Sequence, residues 1–104
     1  MIHVLHAPSI FSREAAFASD AELIPLTRRN MKEYRCVASV ATDNMDDAYR
    51  LTNTIEQSWW LKEGVTFLGS SEYGMKGARS TSVGDVMVTD DGRYVVARVG
   101  FLKL

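Results

Sequence analysis

The chain has a single cysteine, two prolines and two histidines among 104 residues, and no apolar run long enough to span a bilayer. Cys36, alone, cannot form an internal disulfide and has no second thiol with which to build a zinc site, which suits a reducing compartment. His3 and His6 do not rescue a metal site, because a spacing of three on a strand places them on opposite faces. Asp43, Asp46 and Asp47 are close in sequence, but the glycine and closing glutamate of a calcium loop are missing. Neither Gly-x-x-x-x-Gly-Lys-Ser/Thr nor Gly-x-Gly-x-x-Gly occurs, so no phosphate-binding loop is written in the chain. Twelve basic residues face thirteen acidic ones, a formal net charge of −1, and no global field draws the protein to nucleic acid or to an anionic membrane. Residues 1–20 lack the basic start and apolar stretch of a signal peptide. The expectation is a cytoplasmic protein without membrane association, cofactor or metal. No Ser/His/Asp order can be defended and Cys36 falls in a predicted buried strand, so no catalytic residue is assigned and an enzyme is the weaker reading.

What is present is ordinary for a globular chain: 46% hydrophobic and 24% charged residues, enough for one domain over 1–104 with one modest core. A chain of this size folds alone, yet is near the size at which a partner or second copy helps, so a homodimer stays open. Met1 to His6 alternates weakly and stops before Pro8, as a short first strand. Residues 9–26 allow either a short helix capped by Ser12 and curtailed by Ser19-Asp20 and Pro25, or an irregular arm over the core. Tyr34 to Ala41 reads as a central strand. Thr42-Asp43 then caps a helix from Met45 to Ile55, with apolar positions at 45, 48, 49, 52 and 55, acids in its first turn and Arg50 four residues after Asp46. Val65 to Leu68 is a third strand, and 70–78 a glycine-containing loop.

The C-terminal part is the most legible. Val86 and Val88 alternate with Asp85, Met87 and Thr89. After Asp90-Asp91-Gly92, the positions Val95, Ala97, Val99 and Phe101 alternate with Tyr94, Val96 and Arg98. This is a hairpin of two half-buried strands, with Gly92 supplying a positive φ and Gly84 a special backbone angle before the first strand. The class is therefore α+β: a small, mostly antiparallel sheet, one main helix packed on it and a C-terminal β-hairpin.

Three groups of residues are candidates for contact. Trp59-Trp60 are adjacent indoles that seldom both bury in so small a core, and an exposed one would anchor a protein partner. Arg28, Arg29, Lys32 and Arg35, beside Tyr34, form the one basic cluster and are the candidate contacts to nucleic acid; a solvated strand edge is the plainer reading. Arg79, Ser80, Ser82 and Asp85 crowd hydrogen-bonding groups onto one short loop, either as turn chemistry or as a binding site.

Residues 34–104 carry Tyr34…Val37, the helix Asp46-Asp47-Ala48-Tyr49-Arg50-Leu51-Thr52-Asn53, the turn Arg79-Ser80-Thr81-Ser82-Val83-Gly84-Asp85-Val86, then Tyr94-Val95-Val96 and Gly100-Phe101. This set resembles the YodL-like family of small uncharacterised proteins of bacteria, phages and conjugative elements. The resemblance implies a phage or mobile-element setting and an accessory role, with no assigned reaction. It adds Asn53 to Arg79, Ser80, Ser82 and Asp85 as recurring polar positions. The leading expectation is an accessory protein, working in the cytoplasm (the host's if phage-encoded), that binds a macromolecule, with a protein as partner. The alternatives are a nucleic-acid-binding module at Arg28–Arg35, or a small-molecule or nucleotide binder at the Arg79–Asp85 turn with Asn53.

Overall fold

A computed structural model describes residues 1–53, 59, 62–68 and 79–104. In chain order it holds β1 (Ile2–His6), α1 (Ser9–Phe17), α2 (Asp20–Arg29), a 3-10 turn (Met31–Glu33), β2 (Arg35–Val40), α3 (Met45–Thr52), β3 (Val65–Phe67), β4 (Val86–Thr89), β5 (Gly92–Val96) and β6 (Phe101–Lys103). The strands form one antiparallel sheet in the order β3-β2-β1-β4-β5-β6. The expected α+β class, antiparallel sheet and C-terminal hairpin are all present. Both edge strands, β3 and β6, are only three residues long, which limits the unpaired backbone offered to other chains.

The sheet is covered on both faces. Neighbouring residues of a strand point to opposite sides, yet Val86 and Met87 are both buried, as are Val95 and Val96. Met87 and Val96 join Ile2, Val4, Val40 and Trp59 in the cluster under α3. Val86 and Val95 join Phe11 and Ala15 of α1 and Leu23 of α2 in a second cluster. The helices are thus divided between the faces, and α3 is not the only one that packs.

Residues 9–29 are two helices, neither capped by Ser12. Pro8 occupies the cap position of α1 without a side-chain bond. Ser19, expected to curtail a helix, begins the next: its Oγ accepts from Glu22 N–H at 3.3 Å, and Glu22 Oε1 accepts from Ser19 N–H at 3.0 Å. This reciprocal box satisfies two donors that a helix start leaves over. Pro25 lies inside α2 on its exposed side, removing only the donor that would reach the Ala21 carbonyl.

Further local corrections have equally local causes. The cap of α3 is Asn44, not Thr42-Asp43: Asn44 Oδ1 accepts from Asp47 N–H at 3.0 Å. Arg50 donates to Asp47 at 2.8 Å, three residues back, and not to Asp46. The helix ends at Thr52 with Asn53 as its C-cap, short of the expected Ile55. Cys36 is exposed, as is Arg35 beside it at the start of β2. The return strand of the hairpin stops at Val96. The chain then reverses through 97–100, where Ala97 N–H donates to Gly100 O at 3.0 Å, and β6 pairs back on β5. Val99, expected on a strand's inner face, is 91% exposed on that turn. At the preceding turn Gly92 has φ +145, as the hairpin requires. The loop expected over 70–78, and Trp60, lie outside the described residues.

Candidate functional site

The polar run 79–85 lies where β1, α1, α3 and β5 meet. Its last four residues make a turn closed by Asp85 N–H donating to Ser82 O at 3.1 Å, with Gly84 in the third position at φ +94. That position of a turn calls for glycine when φ is positive. A second demand comes from α1, since a Cβ on Gly84 would stand 2.4 Å from the Cβ of Ala15. Gly84 N–H donates to Val96 O at 2.9 Å and its carbonyl accepts from the Tyr34 hydroxyl at 2.5 Å. Burial pushes the Tyr34 phenol well above its usual pKa, so it stays a donor.

Asp85 is fully buried and its carboxylate is fully used. Oδ1 accepts from Ala7 N–H at 2.9 Å and from Arg79 Nη2 at 2.8 Å. Oδ2 accepts from Ser82 N–H at 2.8 Å and from Arg79 Nη1 at 2.7 Å. Four N–H donors match the four lone-pair positions of a carboxylate, and the two from Arg79 form the bidentate fork typical of strong guanidinium pairs. Arg79 also donates to Ala7 O at 2.9 Å and to Ser80 O at 3.0 Å, with Ser82 Oγ at 3.5 Å. Its side chain remains 34% exposed and borders a shallow hollow with Ser12, Arg13, Phe17 and Ser82.

Thr81 carries the second half of the junction. Its N–H donates to Thr52 O at 2.9 Å, its carbonyl accepts from Asn53 Nδ2, and its hydroxyl lies 2.9 Å from His6 Nε2. Thr81 and His6 are both buried. Burial above all, reinforced by Arg79 and opposed by Asp85, holds the His6 pKa at about 4, below its ordinary 6.5. His6 is therefore neutral at physiological pH. Its Nε2 faces Thr81 and, at 3.8 Å, Asp85, while Nδ1 is buried without a partner. A proton on Nε2 is the better tautomer, because an unpaired buried acceptor costs less than an unpaired buried N–H.

The structure thus brings Asn53 to Arg79, Ser80, Ser82 and Asp85, the last four already close in sequence, and adds His6, Ala7, Thr81 and Tyr34. It closes them into a clasp joining β1, α3, β5 and α1. Asp85 offers a ligand neither an open face nor a free lone pair. Trp59 belongs to the same construction: it is buried, sets its ring edge-on to Phe67 with centroids 5.7 Å apart, and donates from Nε1 to Arg79 O at 3.1 Å. It is a core residue and not a surface anchor.

The basic cluster is split. Arg28, Arg29, Lys32 and Arg35 are all exposed, but Arg28 lines a groove of about 540 Å³ with Arg93 and Lys103, whereas Arg29 borders a hollow that also contains Glu14 and Glu22. Among the described residues no three His, Cys, Asp or Glu side chains converge as metal ligands. Partial burial pushes the Cys36 thiol upward in pKa, which disfavours the thiolate a nucleophile needs. No helix among the described residues is long and apolar enough to cross a membrane.

The surface feature that sequence reasoning missed is α1. Its inner side, Phe11 and Ala15, is buried, while Ile10 is 79% and Phe17 86% exposed. They are seven residues apart, so they lie on one side of the helix. The signal was available in the spacing of 10, 13, 14 and 17 once a helix over 9–17 is granted. No protein-family model, no curated protein and no solved structure matches the chain.

Proposed function

We infer that this protein is a non-catalytic binding module whose contact surface is the outer face of α1. The observation that carries the reading is the exposure of Phe17 and Ile10, two large apolar side chains on one face of a helix whose opposite face is already packed. In the Arg79–Asp85 run the Asp85 carboxylate is buried and filled by four donors, and the Arg79 guanidinium, though a third exposed, is tied to it, which favours a scaffold role for the run. The partner class is protein, since apolar side chains give little purchase on a phosphate backbone. On this reading the chain is an accessory protein of a phage or mobile element acting in the cytoplasm. The support for that setting is the likeness of Arg79–Val86 and Gly100-Phe101 to the YodL-like pattern.

A photo-reactive phenylalanine analogue placed at position 17, with Asp90 on the exposed β4–β5 turn as the control position, tests the contact surface in cells. Covalent protein adducts from position 17 are expected, weaker from position 90 and lost on Ile10→Asp. Equal adduct formation from both positions, or none from position 17, rejects it.

A second reading has one specific observation behind it, the groove in which Arg28, Arg93 and Lys103 meet beside Leu104, with no acidic side chain among the described residues that line it. It fits a polyanion such as a single-stranded nucleic acid. Oligonucleotide binding should then fall steeply with salt, as phosphate contacts release counterions, and vanish with Arg28→Glu. Absence of binding at low salt ends this reading.

A further inference from the structure

The outer face of α1 is complementary to itself, and we propose that its occupant is a second copy of this chain, docked as an antiparallel α1–α1 pair about a two-fold axis. The proposal rests on the α1 face being the contact surface and adds what covers it. The face consists of Ile10, Arg13, Glu14 and Phe17, all exposed. Read towards a centre between 13 and 14, this set is symmetric in kind: apolar at both ends, one base and one acid in the middle. In an antiparallel pair centred there, Ile10 of each copy meets Phe17 of the other, and Arg13 of each meets Glu14 of the other. The apolar contact and the opposite-charge contact then each occur twice, as an isologous interface demands. The parallel arrangement sets Arg13 against Arg13 and Glu14 against Glu14, so the charges select the antiparallel one. An unrelated partner would have no reason to require this symmetry.

Phe17 also stands at the rim of two hollows, one running to Arg79 and Ser82 and the other to Pro25 and Leu26. They supply room for the facing Ile10 and its neighbours beyond the helix itself. α1 has nine residues, so the seam is only roughly 13 Å long at about 1.5 Å per residue. The pair accordingly belongs with small, reversible interfaces, below roughly 1,200 Å² in total.

Sedimentation equilibrium of the full chain from low micromolar to submillimolar concentration tests the pairing. The wild-type chain should pass from monomer to dimer. Arg13→Glu and Glu14→Arg should each weaken dimerisation by roughly tenfold or more, because like charges then meet twice. Mixed, these two variants should form a heterodimer, two acids of one facing two bases of the other, and the double variant Arg13→Glu/Glu14→Arg should dimerise alone. Both sites are exposed, and unchanged thermal melting of the variants confirms that the fold is intact. A wild-type chain that stays monomeric throughout, a dimer indifferent to these changes, or a mixture that fails to associate overturns the proposal. Adducts from position 17 to another protein, with the chain monomeric, would defeat the self-pairing and leave the contact surface standing. Absence of adducts would defeat the contact surface itself.

Discussion

Asp85→Asn keeps the shape of the side chain and changes its chemistry at the centre of the clasp. The wild-type carboxylate receives two N–H donors on each oxygen, one from the backbone and one from Arg79. An amide keeps one of those oxygens and replaces the other with an NH₂ group, itself a donor. Whichever way it is placed, one backbone N–H (Ala7 or Ser82) and one Arg79 N–H lose their acceptor, and Arg79 loses its counter-charge. A buried donor without a partner costs about 1–3 kcal/mol. The guanidinium is a third exposed, so water offsets much of its loss, and about 1 kcal/mol is a fair allowance for it. The total, about 3 kcal/mol, is a large part of the ~5–15 kcal/mol that holds a typical domain together. With a urea m value of about 1.5 kcal/mol per molar, the unfolding midpoint should fall by roughly 2 M. Far-UV circular dichroism and tryptophan fluorescence should report the same midpoint if unfolding is two-state. The control, Asp90→Asn on an exposed turn, should stay within about 0.5 kcal/mol of wild type. Wild-type stability in Asp85→Asn would refute the clasp. Combined with loss of partner binding, it would make this turn the functional centre.

The other two predictions concern the hairpin and His6. Gly92→Val should cost about 1–3 kcal/mol, because φ at this turn is closed to a branched residue and a Cβ would press on Lys103 Cε at 3.2 Å; an unchanged urea midpoint would contradict it. His6 has its folded pKa depressed from 6.5 to about 4, so below pH 6.5 the unfolded chain binds a proton that the folded chain refuses. The contribution is complete above pH 6.5 and is lost as pH falls to about 4, where the deficit reaches roughly 3 kcal/mol. Stability measured across that window should decline less steeply in His6→Gln, which has no such proton to bind. Identical slopes in the two proteins would show that His6 does not titrate as described.

The elements that could be read directly are those made by neighbours in sequence. The β4–β5 hairpin follows from a period of two over valines with Gly92 at the reversal, and α3 follows from its apolar stripe with Asp46 and Asp47 in the first turn. Some ambiguities are equally local. Ser19-x-x-Glu22 is a capping box that marks the start of α2, yet Ser19-Asp20 reads equally as a helix stop when the serine is taken alone. The alternation through Ala97, Val99 and Phe101 runs uninterrupted across a reversal, and only Gly100 hints at it.

Other features depend on partners far along the chain. The exposure of Cys36 depends on which distant segments cover the start of β2, which the composition of β2 does not record. Asp85, Arg79 and Ser82 are close in sequence, so their mutual contact was foreseeable. That the carboxylate is also filled by Ala7, 78 positions away, and that Thr81 locks onto both His6 and the end of α3, was not. The class, the hairpin and the polar inventory of the 79–85 turn are legible along the chain, because dihedral preference and side-chain period act over a few residues. That the Asp85 carboxylate is filled inside the protein while Ile10 and Phe17 are left outside comes from tertiary packing. Burial and lone-pair occupancy are set by which distant segments arrive, and neither is a property of any one stretch.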